Sequence, residues 1–324
     1  MVNVNSQQPQ NIESLGHNVF AIDFMERQQP YRSAAYLIAG DVPVLIETGS
    51  SLSHDRLVDA MAILGLTPAD LAYVILTHVH LDHAGGAGQM MQKAKNAQLL
   101  VHSRGARHMA DPSRLWTGAR SVYGAQLEAL FGAVEPVSQA QIVVKQHGDT
   151  LTLPDRTLSF FDSPGHAKHH LTILDDKMDA LYAGDAVGLR YRTGMTGWDF
   201  EFIMPSTSPI DFDPVAIHQT LDFLSAQPFS TVYHTHFGAS RKSEAIAETR
   251  RVADEFAALI ARIYTEGIGS DAVIAALREW VQMDLRARGF VPGPIEAIDI
   301  DIVLDAMGLI YYESARRSSL SGSP

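Results

Sequence analysis

Residues 77–86 read Thr-His-Val-His-Leu-Asp-His-Ala-Gly-Gly, which places three imidazoles and a carboxylate at His78, His80, Asp82 and His83, directly after the apolar run 71–76. Alternate side chains of a strand emerge on one side, so His78 and His80 can grip one ion together. A turn after them redirects Asp82 and His83 toward a second ion. Imidazole and carboxylate donors suit zinc, iron or manganese. A polar turn with chance histidines is the alternative, and the strand context argues against it.

Such a site needs distant partners. Ser163-Pro164-Gly165-His166 follows the strand-like 158–162, Ala183-Gly184-Asp185-Ala186 follows Leu181-Tyr182, and Tyr233-His234-Thr235-His236-Phe237-Gly238 follows 230–232. Each candidate donor stands where an apolar strand ends and small residues begin, at a sheet edge with room for a ligand. His234 and His236 compete as the last donor, because both point to one side of a continuing strand.

With these motifs in this order over roughly residues 18–240, the chain resembles the metallo-β-lactamase-fold hydrolases. The resemblance implies a mixed α/β (α+β) fold, an αββα sandwich. It also implies two divalent ions, zinc first and iron or manganese as alternatives. His78, His80 and His166 would hold one ion, Asp82, His83 and His236 the other, and Asp185 would bridge them. The first motif, usually an aspartate before Thr-Gly, is here Ile46-Glu47-Thr48-Gly49, so Glu47 is expected to buttress the ligand loop from behind. His170 matches a histidine that holds the ligand loop in the superfamily. Tyr191, by similarity to lactonases of this fold, would donate its phenol to a developing oxyanion; a packed aromatic is the other reading. The runs 101–109 and 111–116 and the ending Thr235-His236-Phe237-Gly238 are similar to a prokaryotic subgroup, which indicates the machinery but no particular reaction.

Two ions bridged by a carboxylate lower the pKa of a water, and hydrolysis follows without a side-chain nucleophile. Asp82 or Asp185 would take or return the proton. The expected substrate is a small molecule with an ester-type bond, a lactone or thioester ahead of a phosphodiester. Two other classes stay open: a metal-bound, non-catalytic sensor or effector, and an iron-dependent redox enzyme. Against the sensor stands the full ligand set. Against the redox enzyme stands His80, which the diiron members of the superfamily replace with glutamate.

The chain has 324 residues and 46% hydrophobic content, enough for one large domain with an appendage. It has no cysteine, which excludes disulfides, thiolate ligands and a cysteine nucleophile. A net charge of −12 with no long basic run disfavours nucleic acid. Neither a leader pattern nor a run of membrane-spanning length is evident, so a cytoplasmic address is expected.

Residues 1–16 read as disordered, 17–240 as the catalytic domain and 241–324 as a C-terminal helical extension, frayed from 316 onward. Strands are expected at 18–23, 34–38, 42–47, 98–101, 142–144 and 171–174, with a helix over 53–64. A helical insert at 104–135 carries Trp116, Tyr123, Leu127, Leu130 and Phe131; the last four share one face, which either packs on the core or roofs the metal cleft. The stretch 194–205 is too Gly- and Pro-punctuated for a regular element, and Trp198 within it, like Trp116 and Tyr123, is a candidate for substrate contact. Arg190 and Arg192 suit either an anionic group or a salt-bridged surface. The extension shows helical runs at 243–266, 271–288 and 295–313, whose apolar faces would close the cleft or mediate a homodimer.

Overall fold

The computed structural model describes residues 11–321. A first sheet runs in chain order through β1 (Ile12–Gly16), β2 (Val19–Asp23), β3 (Ala34–Ile38), β4 (Val44–Ile46), β5 (Tyr73–Ile75), β6 (Gln98–His102) and β7 (Ile142–Lys145). It is antiparallel up to β4 and parallel from β4 to β7. The chain then forms β8 (Thr150–Thr152), β9 (Thr157–Asp162), β10 (Leu171–Asp175) and β11 (Ala180–Tyr182). A separate hairpin of β12 (Leu189–Tyr191) and β13 (Phe202–Met204) follows, and then β14 (Thr231–His234) and β15 (Gly238–Arg241). The second sheet has the order β15-β14-β11-β10-β9-β8, with β11 and β14 parallel.

The alternation of side chains builds the layers. On β3, Tyr36 and Ile38 face the second sheet and meet Phe160, Ile173 and Tyr182 in one buried cluster. Ala35 and Leu37, one residue out of phase, join Leu57, Met61, Met90 and Met91 of the helices outside. The second sheet repeats the pattern, with Leu181 and Val232 turned outward onto Val252, Phe256 and Ile260 of the helix Lys242–Ile263. Period-two burial on both sheets, each covered by helices, is the αββα sandwich. Each large aliphatic side chain so buried contributes roughly 1.5–3 kcal/mol.

The insert is helical as read, with helices at Ser103–Ala110, Ser113–Tyr123 and Leu127–Phe131. Four expectations need correction. Residues 12–16 of the supposedly disordered start form β1, because Ile12 pairs with Ile22 and is buried on the sheet; residues 1–10 lie outside the described residues. Residues 194–205 contain a short helix (Thr193–Thr196) and β13, whose pairing with β12 compensates for the glycines. The end expected to fray from 316 onward stays helical within Asp299–Ser321, where Arg316 and Arg317 clasp the buried Glu313; residues 322–324 lie outside the described residues. The extension is no appendage, since Val273, Leu277, Ile302 and Leu309 share the hydrophobic cluster of the second sheet. Its apolar faces are therefore covered by this chain itself.

Asp305, on the last helix, is buried and accepts hydrogen bonds from the Thr207 amide (2.7 Å) and hydroxyl (3.0 Å). Burial, with Asp301 nearby, pushes its carboxyl up to about 8. The folded state then keeps a proton that the unfolded chain loses near pH 4, so stability declines as pH rises from about 4 to 8. Asp305→Asn keeps the acceptor oxygen and removes this loss. Thermal melts are expected to show the variant close to wild type at pH 4 and several degrees more stable at pH 8; a gain independent of pH would contradict the assignment.

Candidate metal centre

Beyond β5 the chain runs extended through His80 (φ −63°, ψ 154°) and then coils into the turn Leu81–Ala84. Val79 is buried with the helices, and the rings of His78 and His80 meet 4.5 Å apart. The turn swings Asp82 and His83 out of line with them. His166 arrives from the loop between β9 and β10, Asp185 from the loop after β11, and His236 from the turn between β14 and β15.

Two groups of donors result. His80 Nδ1 lies 2.9 Å from His78 Nε2 and 3.0 Å from His166 Nε2. In the second group, Asp82 Oδ2 is 3.8 Å from His83 Nε2 and 3.3 Å from His236 Nε2, and the two Nε2 atoms are 3.3 Å apart. Asp185 spans both: Oδ1 is 3.4 Å from His83 Nε2, and Oδ2 is 3.5 Å from His166 Nε2.

The far side of each ring fixes its tautomer. His166 Nδ1 donates to the Ser206 carbonyl at 3.0 Å, so its Nε2 carries a lone pair. The Thr77 hydroxyl donates to Glu47 Oε1 and so accepts from His78 Nδ1 at 3.1 Å, which leaves a lone pair on His78 Nε2 as well. Both lone pairs face His80 Nδ1, and one proton there could satisfy only one of them. Asp185 Oδ1 is buried without a hydrogen-bond partner. Either group, with all three donor atoms within 4.8 Å of one another, could hold a metal ion, so the donors present fit divalent cations.

Glu47 is fully buried, and its Oε1 also meets His83 Nδ1 at 3.2 Å and the Thr235 hydroxyl at 3.4 Å, tying both ends of the His78–His83 string and the His236 turn to one carboxylate. His170 stacks against His78 (4.8 Å, 22°) and accepts the Asp185 amide at 3.1 Å. His236 Nδ1 donates to the Arg32 carbonyl at 3.0 Å, while the Arg32 guanidinium pairs with Asp301 of the last helix at 2.6 Å. Arg32, Asp301 and Ser206 were not legible as site residues, because the sequence has no local motif around them.

The charges divide by group. Burial, with the neighbouring imidazoles, lowers His78 well below the usual histidine range and His80 to about 3. Burial also lowers His83 and His236, but the carboxylates outweigh it: Asp185, Asp82 and Glu47 raise His83 well above its ordinary value, and Asp185 and Asp82 raise His236 to about 9. Asp82 and Asp185 are correspondingly held low by His83 and His236 despite burial.

The competition for the last position resolves on geometry. His234 Nδ1 donates to the Gly188 carbonyl (2.8 Å) and His234 Nε2 meets the Ser240 hydroxyl (2.7 Å), so neither nitrogen is free. A cavity of about 270 Å³ opens from His80, Asp82, His166 and Asp185 along the insert. Tyr123 lines it; Trp116 and Trp198 do not. On the helix Ser113–Tyr123 the lining face is Arg114, Leu115, Gly118, Ala119, Val122 and Tyr123, and Trp116 falls off this stripe beneath Arg120. A spacing of four from Leu115 to Ala119 to Tyr123 was the readable signal. Trp198 is buried, stacked on Phe202 (5.4 Å, 14°) and closed in by Gly293. Tyr191 is likewise buried, stacked on the other strand of the hairpin through Phe202 (4.6 Å, 10°), and lines neither this cavity nor the adjoining recess of about 50 Å³. Tyr123 lines both. Arg190 and Arg192 are engaged by Glu201, and Arg192 also by Glu13, which makes them a salt-bridged surface.

The sequence profile described as the metallo-beta-lactamase superfamily matches residues 29–236, and the chain belongs to that superfamily. Among curated relatives, it is 27% identical to the metallo-beta-lactamase fold-containing protein ST1585 of Sulfurisphaera tokodaii over 56% of this chain and 64% of that one. It is 28% identical to the acyl-coenzyme A thioesterase MBLAC2 of Gallus gallus over 57% of this chain and 67% of that one. The crystal structure of ST1585 from Sulfolobus tokodaii superimposes with a TM-score of 0.64 at 22% identity, covering 91% of this chain and 98% of that one; this likeness is one of fold.

Gly184 has φ +51°, and a Cβ there would lie 2.5 Å from both His170 Nε2 and Thr77 Oγ1. Gly184→Ala must therefore displace the Asp185 loop or the Thr77 buttress. Elemental analysis after dialysis is expected to show the bound metal reduced by about half or more, on the scale of lost supporting contacts, with an unchanged far-ultraviolet spectrum. Full retention would contradict the role given to this close approach.

Proposed function

We propose that the protein is a metal-dependent hydrolase of a small thioester. The observation that carries this reading is the pair of donor groups joined by Asp185 at the floor of a cavity with an apolar wall. His78, His80 and His166 would hold one ion and Asp82, His83 and His236 the other, zinc being the first choice and iron or manganese the alternatives. Such ions supply an acidified water and polarise a carbonyl oxygen. Among ester-type bonds, a thioester is favoured over a lactone by the similarity to relatives named acyl-coenzyme A thioesterases. The lack of a cysteine agrees with a reaction that needs no thiol nucleophile, and a cytoplasmic address fits a thioester substrate.

The chain's own groups divide the remaining work. The cavity wall of Leu115, Ala119, Val122 and Tyr123 receives the acyl group and excludes water from it. Asp82, partly open to the cavity, accepts a proton from the attacking water and returns it to the departing sulfur. The new C–O bond forms as the C–S bond breaks, giving a carboxylic acid and a thiol. The Tyr123 phenol, held protonated by burial, can donate to the carbonyl oxygen.

Release of free thiol from short-chain acyl-coenzyme A, followed with a thiol-reactive dye on zinc- or manganese-reconstituted protein, tests the proposal. Metal-dependent release is expected, with a loss of about a hundredfold or more in His78→Ala. Cleavage of lactones alone would overturn the thioester reading, and cleavage of neither would overturn hydrolysis of ester-type bonds.

A further inference from the structure

The mouth of the cleft reverses the sign of the protein's charge. A second, open cavity of about 600 Å³ adjoins the apolar one, and the two share His108, His169 and Asp211. The outer cavity is lined by Arg104 and Arg107 of the helix Ser103–Ala110 and by Lys168, two residues past His166; Arg114 stands on the inner wall. In the outer cavity Arg104, Arg107 and Lys168 thus stand beside one carboxylate, Asp211, on a chain whose net charge is −12. Lys168 pairs with Asp211 at 3.0 Å, whereas none of Arg104, Arg107 and Arg114 forms an ion pair among the described residues. Arg107 only touches His108, at 3.4 Å.

Unpaired guanidiniums close together repel one another, and their planar forks match phosphate oxygens. Most of this chain's arginines elsewhere are paired: Arg32 with Asp301, Arg156 with Asp175, Arg251 with Asp284. The exceptional cluster sits where the part of a substrate that does not enter the apolar cavity must lie. His169, on the shared border, accepts the Val79 amide at 3.4 Å, so the rim is anchored to the ligand string itself.

We infer that Arg104, Arg107 and Lys168 form a phosphate-binding rim that holds the phosphorylated nucleotide end of a thiol leaving group while the acyl chain occupies the cavity lined by Leu115, Ala119 and Val122. The inference rests on the thioester reading for the identity of the substrate. Its binding half stands on the charge pattern alone. Held this way, the substrate spans the two cavities with its C–S bond inside the inner one, beside His166 and Asp185.

Adenosine 3′,5′-bisphosphate, which carries the phosphates without the thioester, is the probe. Calorimetry is expected to show it binding metal-loaded wild-type protein, more weakly as salt is added, and about tenfold or more weaker in Arg104→Gln/Arg107→Gln. Arg120→Gln, on the insert but paired with Glu128 at 3.8 Å, is expected to leave binding unchanged. In the double variant, KM for an acyl-coenzyme A rises about tenfold with kcat unchanged, while the N-acetylcysteamine thioester of the same acid, which has no phosphate, is turned over as by wild type. Binding that is intact in the double variant places the phosphates elsewhere, for instance on the metals, and overturns the inference. Tighter binding of a single-stranded oligonucleotide than of the bisphosphate also overturns it. Rim-dependent bisphosphate binding without any thioester cleavage would uphold the rim and remove the thioester reading.

Discussion

Lone pairs of buried groups that point at one another raise the energy of a fold unless positive charge lies between them, and this constraint organises the molecule. Three imidazoles meet through His80 Nδ1, and two carboxylates meet His83 and His236, all in a space closed to water on most sides. The protein holds them there by spending hydrogen bonds on the far side of each ring: Glu47 on His83, Thr77 on His78, the Ser206 carbonyl on His166 and the Arg32 carbonyl on His236. These supports come from the loops of the first sheet and from the segment after β13, whereas His166, Asp185 and His236 come from loops of the second sheet, so the sandwich is the frame that keeps them in register. A cation competes with the protons on His83 and His236 and offsets the low-lying acids Asp82 and Asp185, which couples metal binding to folding and to proton release.

The last helix belongs to the same frame. Asp301 holds the Arg32 guanidinium, and the Arg32 carbonyl holds His236, so a residue far beyond the last motif in the sequence helps to aim a ligand. Leu304 of that helix also lines the cavity opposite the insert. The cleft is therefore walled by the insert and the last helix, so variation at their lining positions would change what enters.

Local patterns were legible in the sequence and long-range ones were not. The His78–His83 string, His166 and Asp185 follow apolar strands, and the donors in the structure come from those places. A continuing strand would leave His234 and His236 on one side, and only the resemblance of the Thr235-His236-Phe237-Gly238 ending favoured His236; β14 ends at His234, the chain turns, and His236 swings to the centre. The hairpin of β12 and β13 escaped notice because strands of three residues carry too little periodicity to register against neighbouring glycines. Trp116, Trp198 and Tyr191 were read by residue type near the site, whereas helical phase and strand facing decide what lines a cleft, and these favour Leu115, Ala119 and Tyr123. The extension looked separable because its helices are amphipathic, but amphipathicity does not say which surface covers the apolar face. Here it is the second sheet.

The proposed chemistry stands on a two-ion centre bridged by Asp185. Anomalous diffraction from crystals grown with zinc or manganese tests it most directly, because it locates each ion without reference to activity. Two peaks are expected, one among His78, His80 and His166 and one among Asp82, His83 and His236, with an Asp185 oxygen ligating each. A single peak, or two peaks that Asp185 does not join, would contradict it.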